Sequence, residues 1–477
     1  MQEKITKNFW LTVIAPIVLF WLVFYGLGYP PPTVDDMFFT GAAINLAEKG
    51  EFFNPWLAMW SDRTIDRFFV QPPFYQYALA GWLVVWGVKT KSLLLFQCFC
   101  YITFSISTAL LLRFYRFSHI AIVACILLFS LWMFLSGLRQ DALGMSCLAV
   151  GLWLVTHDRV KYYFLGFVFL GAAPLTSPVT IAYSVILGGT ILIANYCKFK
   201  GNRKQYLTRR LLTLGSAILL LFFLFLLSIG FELTHFFSDL SWCASLRRQP
   251  WHNVLPTAIW LVKMGYGEII YIPLYSLYFL LAIATIVKRK SIARSATVII
   301  LALTIGLIFN LFTYVATLPS HVNFFCGLGI ILMLDKISWQ KQYKTLICGL
   351  AIAVFCLNHS LTAVALLGRE NVPSSTYETV KTFVAQNPDR TYWVDSVAAR
   401  FVFDYNLPDG TIDWMSSNGA AYFWPSSIAD KQPGTVWIVS PSRGASTQGL
   451  PEYPRVTLFG RRFESIPSKP YDLVVID

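Results

Sequence analysis

The chain has 477 residues, 56% of them hydrophobic and only 13% charged, with Lys+Arg 38 against Asp+Glu 25 and a formal net charge of +13. About a quarter of a soluble chain is charged, so this composition excludes an ordinary soluble fold and assigns most of the length to crossing a bilayer. The basic residues collect in short loops between apolar segments, where they set topology and attract anionic headgroups, which excludes nucleic acid as a partner.

Lys4 and Lys7 precede an apolar run from Phe9 to Gly28 that ends in prolines without a small-residue cleavage site. It is read as a retained first span that starts in the cytoplasm. The first exterior loop, residues 29–91, opens on Pro30-Pro31-Pro32-Thr33-Val34-Asp35-Asp36. Thr33 caps a predicted helix over Val34 to Lys49, with Asp36 in its third position and Gly50 as its stop. Phe39, Ala43, Leu46 and Ala47 share the face that lies against the membrane or other helices. Pro72-Pro73 lead into Phe74 to Val88, read as a juxtamembrane or re-entrant helix, because counting it as a crossing moves every later basic loop outward.

Further apolar stretches run over Ser92–Leu112, His119–Leu135, Ala142–Val155, Tyr162–Ala173, Pro178–Tyr196 and Leu211–Ile229. Ile269–Val287, Ala296–Leu318, His321–Leu334 and Leu346–Leu367 complete the set. The expectation is a multi-span α-helical membrane domain over residues 1–368 with about eleven transmembrane helices. A second large exterior loop, 231–267, carries Trp242, Trp251 and Trp260 and reads as an interfacial segment; its histidines, His235 and His252, read as structural. Residues 369–477 form an expected exterior soluble α/β domain. Its strands are Tyr392–Val394, Val436–Val439, Val456–Phe459 and Leu473–Ile476, and its helix is Tyr377–Ala385. Neither GxGxxG, GKT nor GxSxG occurs, so no nucleotide fold or hydrolase elbow is indicated. Of the nine cysteines only Cys243 lies clearly in an exterior loop, and no CxxC or Cys/His spacing marks a metal site or disulfide framework.

The chemistry is expected in the exterior loops. Asp35 and Asp36 project about 100° apart on their helix. They either stabilise its positive end or place a carboxylate at the lipid–water boundary as a general base toward a hydroxyl or amine. Asp141 follows the third span in Ser136-Gly137-Leu138-Arg139-Gln140-Asp141-Ala142, where it is a helix-start partner of Arg139 or orients an acceptor while Arg139 faces a phosphate. Arg63 and Arg67, one helical turn apart, and Arg139 and Lys263 are candidate lipid-phosphate contacts, with interfacial snorkelling the other reading of the first two. No cofactor is fixed by the pattern, although the three aspartates offer hard oxygen ligands suited to a divalent metal such as Mg or Mn.

These residues carry a resemblance. The span before the acidic pair, the helix Asp35-Asp36-Met37-Phe38-Phe39-Thr40-Gly41-Ala42-Ala43, the turn Gly50-Glu51-Phe52-Phe53-Asn54-Pro55, the Gln71-Pro72-Pro73-Phe74-Tyr75 stretch and Asp141 resemble bacterial GT-C glycosyltransferases of the protein mannosyltransferase and aminoarabinose transferase type. The resemblance implies transfer of a sugar from a polyprenyl-phosphate donor to a lipid, glycan or protein acceptor at the exterior face of the inner (plasma) membrane. It makes Asp35 the catalytic residue, Asp36 its partner in place of the usual glutamate, and Asp141 the second exterior acid. Gln71 stands where many relatives carry a phosphate-contacting lysine, and Leu175-Thr176-Ser177 where the family often has Leu-Thr-Lys. Two other classes fit a polytopic chain: a transporter or flippase for lipid-linked glycans, and a non-catalytic envelope assembly protein.

Overall fold

The computed structural model describes residues 7–27, 34–54, 63–64, 66–157, 159–199, 201–245, 271–287, 294–314 and 319–337, single positions at 349 and 386, and five strands between 392 and 475. The expected span Leu346–Leu367, the expected helix Tyr377–Ala385, and Lys263 lie outside these residues.

The helices are α1 (Lys7–Trp21), which runs into a π-helical turn at Leu22–Gly26, α2 (Val34–Lys49), α3 (Phe74–Trp86), α4 (Thr90–Phe114) and α5 (His119–Ser136). Then follow α6 (Asp141–Leu154), α7 (Val160–Thr176), α8 (Ile181–Lys198), α9 (Arg203–Ser228), α10 (Leu233–Ser245), α11 (Tyr271–Val287), α12 (Arg294–Tyr314) and α13 (Pro319–Lys336). Helix α2 has the bounds expected from its sequence and stops at Gly50, whose φ of 76° favours a residue without Cβ. Local signals fix other ends. The Ser118 hydroxyl accepts from the Ala121 N–H at 3.2 Å to cap α5, and Asn202 Oδ1 accepts from the Gln205 N–H at 3.1 Å to cap α9.

Among the described residues, four helical stretches are long and apolar enough to cross a membrane: Phe9–Gly26, Lys91–Phe114, Pro178–Cys197 and Arg203–Ser228. Shorter apolar helices include Val160–Thr176 and Asp141–Leu154. Burial separates their positions. The apolar window of α4 is 67% buried, whereas that of α9 is 22% buried and exposes Leu211, Leu212, Leu219, Phe222 and Phe223. In a bilayer such an apolar flank is solvated by lipid, so α4 stands at the centre of the bundle and α9 at its rim.

Aromatic rings fill the centre. Phe20 of α1 stacks on Tyr101 of α4 with centroids 4.0 Å apart, and Phe104 of α4 stacks on Phe129 of α5 at 3.7 Å. Helices α6 and α7 form a hairpin whose backbones touch. A Cβ on Gly151 would lie 2.8 Å from the Leu170 amide nitrogen, and one on Gly166 would lie 3.0 Å from that of Val155. Small residues at such a crossing let two spans gain dispersion contact along their length.

Beyond the helices, β1 (Tyr392–Val394), β2 (Val436–Val439) and β5 (Asp472–Val475) form one sheet in the order β1-β2-β5, parallel then antiparallel. Strands β3 (Arg455–Leu458) and β4 (Arg461–Glu464) pair antiparallel. Four of the five coincide with expected strands to within a residue. Cys243, expected in an exterior loop, is instead buried on α10, because Leu233–Ser245 folds as a helix that packs Phe236, Asp239 and Cys243 inward.

Candidate active site

The site is built around a turn. Helix α5 ends at Gly137, with φ 69°, and the chain reverses through Leu138-Arg139-Gln140 into α6, whose first residue is Asp141. Asp141 is 2% exposed as a residue, and a buried charge survives only if its lone pairs are met. Ser177, the residue after α7, donates to Oδ1 at 2.5 Å, and Arg139 Nε donates to Oδ2 at 3.1 Å. His321, in the first turn of α13, brings Nε2 to 3.2 Å from the same Oδ2 without the alignment of a directed hydrogen bond. Gly144 makes room for this. A Cβ there would lie 2.6 Å from that of Ser177, so the missing side chain lets the serine approach the carboxylate.

Burial alone pushes the Asp141 carboxyl up. The neighbouring His321 and Arg139 charges and the Ser177 hydroxyl outweigh it and hold the group well below the usual carboxylate range. Asp141 is therefore a permanently ionised anchor and a weak base.

Gln71 and the start of α3 dock on this turn. The Tyr75 hydroxyl donates to the Leu138 carbonyl at 2.8 Å, Gln140 Nε2 donates to Gln71 Oε1 at 2.9 Å, and Gln97 of α4 donates to the Arg139 carbonyl at 3.3 Å. The Gln71-Pro72-Pro73-Phe74-Tyr75 stretch and the Asp141 segment, separate motifs in sequence, thus share one hydrogen-bonded network. Gln71 serves as an acceptor within it. The Arg139 guanidinium lies 4.6 Å from the Phe39 ring centroid on α2. Positions 35 and 36 fall one helical turn before Phe39. The side chains of Asp35 and Asp36 lie outside the described residues.

Two of the candidate phosphate-binding cations have an internal partner. Arg63 Nη1 and Arg67 Nε each lie 2.9 Å from one oxygen of Asp239, which is 1% exposed on α10. They tie the segment before α3 to α10, and Phe69 packs edge-on against Phe236 beside them. Arg139 likewise has Asp141 as its described ion partner. Sequence reading missed Asp239, the pairing of Ser177, and His321, which it treated as the boundary of a span. An ionisable residue at the head of an apolar segment was the available signal for the last of these. Among the described residues no group of three His, Cys, Asp or Glu side chains could hold a metal.

No protein-family model matches the sequence, and no curated protein matches it by sequence. Structure is more informative. ArnT from Cupriavidus metallidurans, solved bound to undecaprenyl phosphate, superposes with a TM-score of 0.52 at 14% identity, covering 96% of this chain and 98% of that one. The chain shares the fold of ArnT. The apo ArnT structure gives a TM-score of 0.50 at 16% identity, covering 95% and 96% of the two chains. The match to ArnT runs through nearly the whole chain, so the GT-C resemblance read from residues 30–175 holds for the fold.

Proposed function

We propose that this chain is a membrane glycosyltransferase that moves a sugar from a polyprenyl-phosphate donor to a lipid, glycan or protein acceptor at the exterior face of the inner membrane. The observation that carries the reading is the buried Asp141–Arg139–Ser177–His321 cluster. It sits at the head of an apolar helix, docked through Arg139 and Phe39 on α2, the helix that carries positions 35 and 36, in a chain with the ArnT fold. The charge pattern of the loops supports about eleven spans with a cytoplasmic N-terminus. The strands between 392 and 475 support an exterior α/β domain over residues 369–477.

The mechanism is a single displacement. Asp35 takes the proton of the acceptor hydroxyl or amine, the acceptor atom bonds to the anomeric carbon, and the bond from that carbon to the phosphate oxygen breaks. Polyprenyl phosphate leaves with the electron pair. Inversion at the anomeric carbon follows from one displacement. Division of labour between the acids follows from the surroundings of Asp141: a carboxylate held below its usual range is a poor base, so Asp141 positions Arg139 and the α6 turn and the proton falls to Asp35. Arg139, with Arg63, Arg67 and Lys263 as the other candidate cations, is the first candidate to meet the leaving phosphate.

Lipid and glycan mass analysis of cells with and without the gene tests this: a stranded polyprenyl-linked sugar and an acceptor lacking that sugar are expected. Transfer that survives in both Asp35→Asn and Asp141→Asn removes the catalytic assignment. Label that crosses vesicles without covalent transfer replaces it with transport.

A further inference from the structure

Ser177, which meets Asp141, follows the last residue of α7; a second charged cluster lies at the opposite end of that helix. From Arg159 to Phe231 the sequence has Lys or Arg at positions 159, 161, 198, 200, 203, 204, 209 and 210 and no Asp or Glu, with Asp158 just before it. The start of α7, the end of α8 and the start of α9 meet here. The Tyr163 and Tyr206 hydroxyls lie 3.1 Å apart, and the Asn195 amide of α8 donates to the Val155 carbonyl at 3.1 Å. Aromatic rings fix the inner cation: Phe199 stacks on Tyr206 with centroids 4.4 Å apart, and the buried Arg210 guanidinium packs against the Tyr163 and Tyr206 rings. Arg203 and Lys204, in the first turn of α9, are exposed and have no carboxylate partner among the described residues.

Topology explains the sign of such loops, but α9 adds a surface directly beyond them. Lys204, Leu211, Gly215, Ile218 and Phe222 fall within about 60° of one another around the helix. Leu211, Ile218 and Phe222 are exposed, and a Cβ on Gly215 would meet no atom within 4 Å, so the stripe is apolar and open. From Lys204 to Gly215 the helix rises about 16 Å, close to the hydrocarbon of one leaflet. Cations at the head of an open apolar stripe one leaflet long are complementary to a molecule with a negative head and a hydrocarbon tail. A soluble phosphate meets the cations and not the stripe, and a zwitterionic lipid meets the stripe but brings its own cation to the head. We infer that the corner of α7, α8 and α9 binds an anionic phospholipid in the leaflet opposite the Asp141 site, its phosphate on Arg203 and Lys204 and an acyl chain along Leu211, Ile218 and Phe222. The site goes beyond sugar transfer and stands whether or not that reaction does.

Native mass spectrometry of the full chain in detergent, titrated with phosphatidylglycerol or with phosphatidylcholine of the same acyl chains, reads bound lipid directly. The first phosphatidylglycerol is expected to bind about fivefold or more tightly than the first phosphatidylcholine. Arg203→Gln combined with Lys204→Gln is expected to erase most of that preference. Lys288→Gln combined with Lys290→Gln, which removes the same charge from the Lys288-Arg289-Lys290 run between α11 and α12, is expected to keep it. Glycerol 3-phosphate in tenfold excess over the lipid is expected to displace none of it, because the headgroup alone lacks the contact with the stripe. Equal affinity for the two lipids, an equal fall in both double variants, or displacement by glycerol 3-phosphate overturns the inference. Dimers in place of lipid adducts assign the face to a second copy of the chain and overturn it too. If the first double variant does not fold, the two lipids and the headgroup competition on the unaltered chain decide.

Discussion

Replacing Asp141 by Asn keeps the shape of the side chain and an oxygen for the Ser177 hydroxyl, but removes the charge that faces Arg139 and His321. The Asp141 side chain is 4% exposed and that of Arg139 16%, so water compensates little. Breaking a buried pair by removing one partner costs about 3–5 kcal/mol; the retained Ser177 contact puts Asp141→Asn at the lower end, near 3 kcal/mol. Arg139→Gln, which leaves the carboxylate with Ser177 and His321, is expected to cost about 2 kcal/mol. The double variant should be less damaged than the sum by about 2 kcal/mol, since either change alone strands the other charge. Reversible unfolding in mixed micelles, run on the four proteins of the cycle, measures this coupling. Additivity to within about 0.5 kcal/mol refutes the claim that the two side chains form a desolvated pair.

Three further outcomes are expected. Asp239→Ala releases Arg63 and Arg67 together and should cost about 3 kcal/mol, whereas Arg63→Ala, removing a side chain that is 40% exposed, should cost about 1; equal losses in the same unfolding assay contradict the clamp. Gly41→Ala puts a Cβ into the Asn54 amide, which donates to the Phe38 carbonyl at 3.3 Å, so it should destabilise by about 1–3 kcal/mol and be relieved by Asn54→Ala; a double variant as unstable as the single one shows that the conflict lies elsewhere. The third concerns pH. Asp141 is held below its ordinary carboxyl value of 3.8, so the stability it supplies is present above that unfolded-state value and is lost only as pH falls through the lower folded one. The acid limb of sugar transfer must then belong to another group: Asp141→Asn should lower the rate without moving the midpoint of that limb, and a shift of more than about half a pH unit contradicts the assignment.

Local features were legible in the sequence. Helix α2 ends at Gly50, α3 starts behind Pro72-Pro73, and four strands were found, because caps, prolines and β-branched runs act over a few residues. Strand β4, Arg461-Arg462-Phe463-Glu464, was missed since three of its four residues are charged. The partners within the site were hidden for another reason. Ser177 meets Asp141 across 36 residues and Arg63 meets Asp239 across 176. A helix that is apolar all round has no stripe to show which face meets which neighbour. Arg63 and Arg67 looked like cations seeking a phosphate because the carboxylate that engages them, Asp239, comes from another element of the fold.

The α6–α7 hairpin acts as a pair of tweezers. Its tips carry Asp141 and Ser177, and its arms touch at Gly151 and Gly166, nearer the connecting turn. Gly166 lies about 15 Å along the arm from the tip, at 1.5 Å of rise per residue. A single methyl group there pries the arms apart and widens the gap that a 2.5 Å hydrogen bond now closes. Random mutagenesis scored for loss of transfer should therefore return changes at positions 151 and 166 as readily as at 141 and 177.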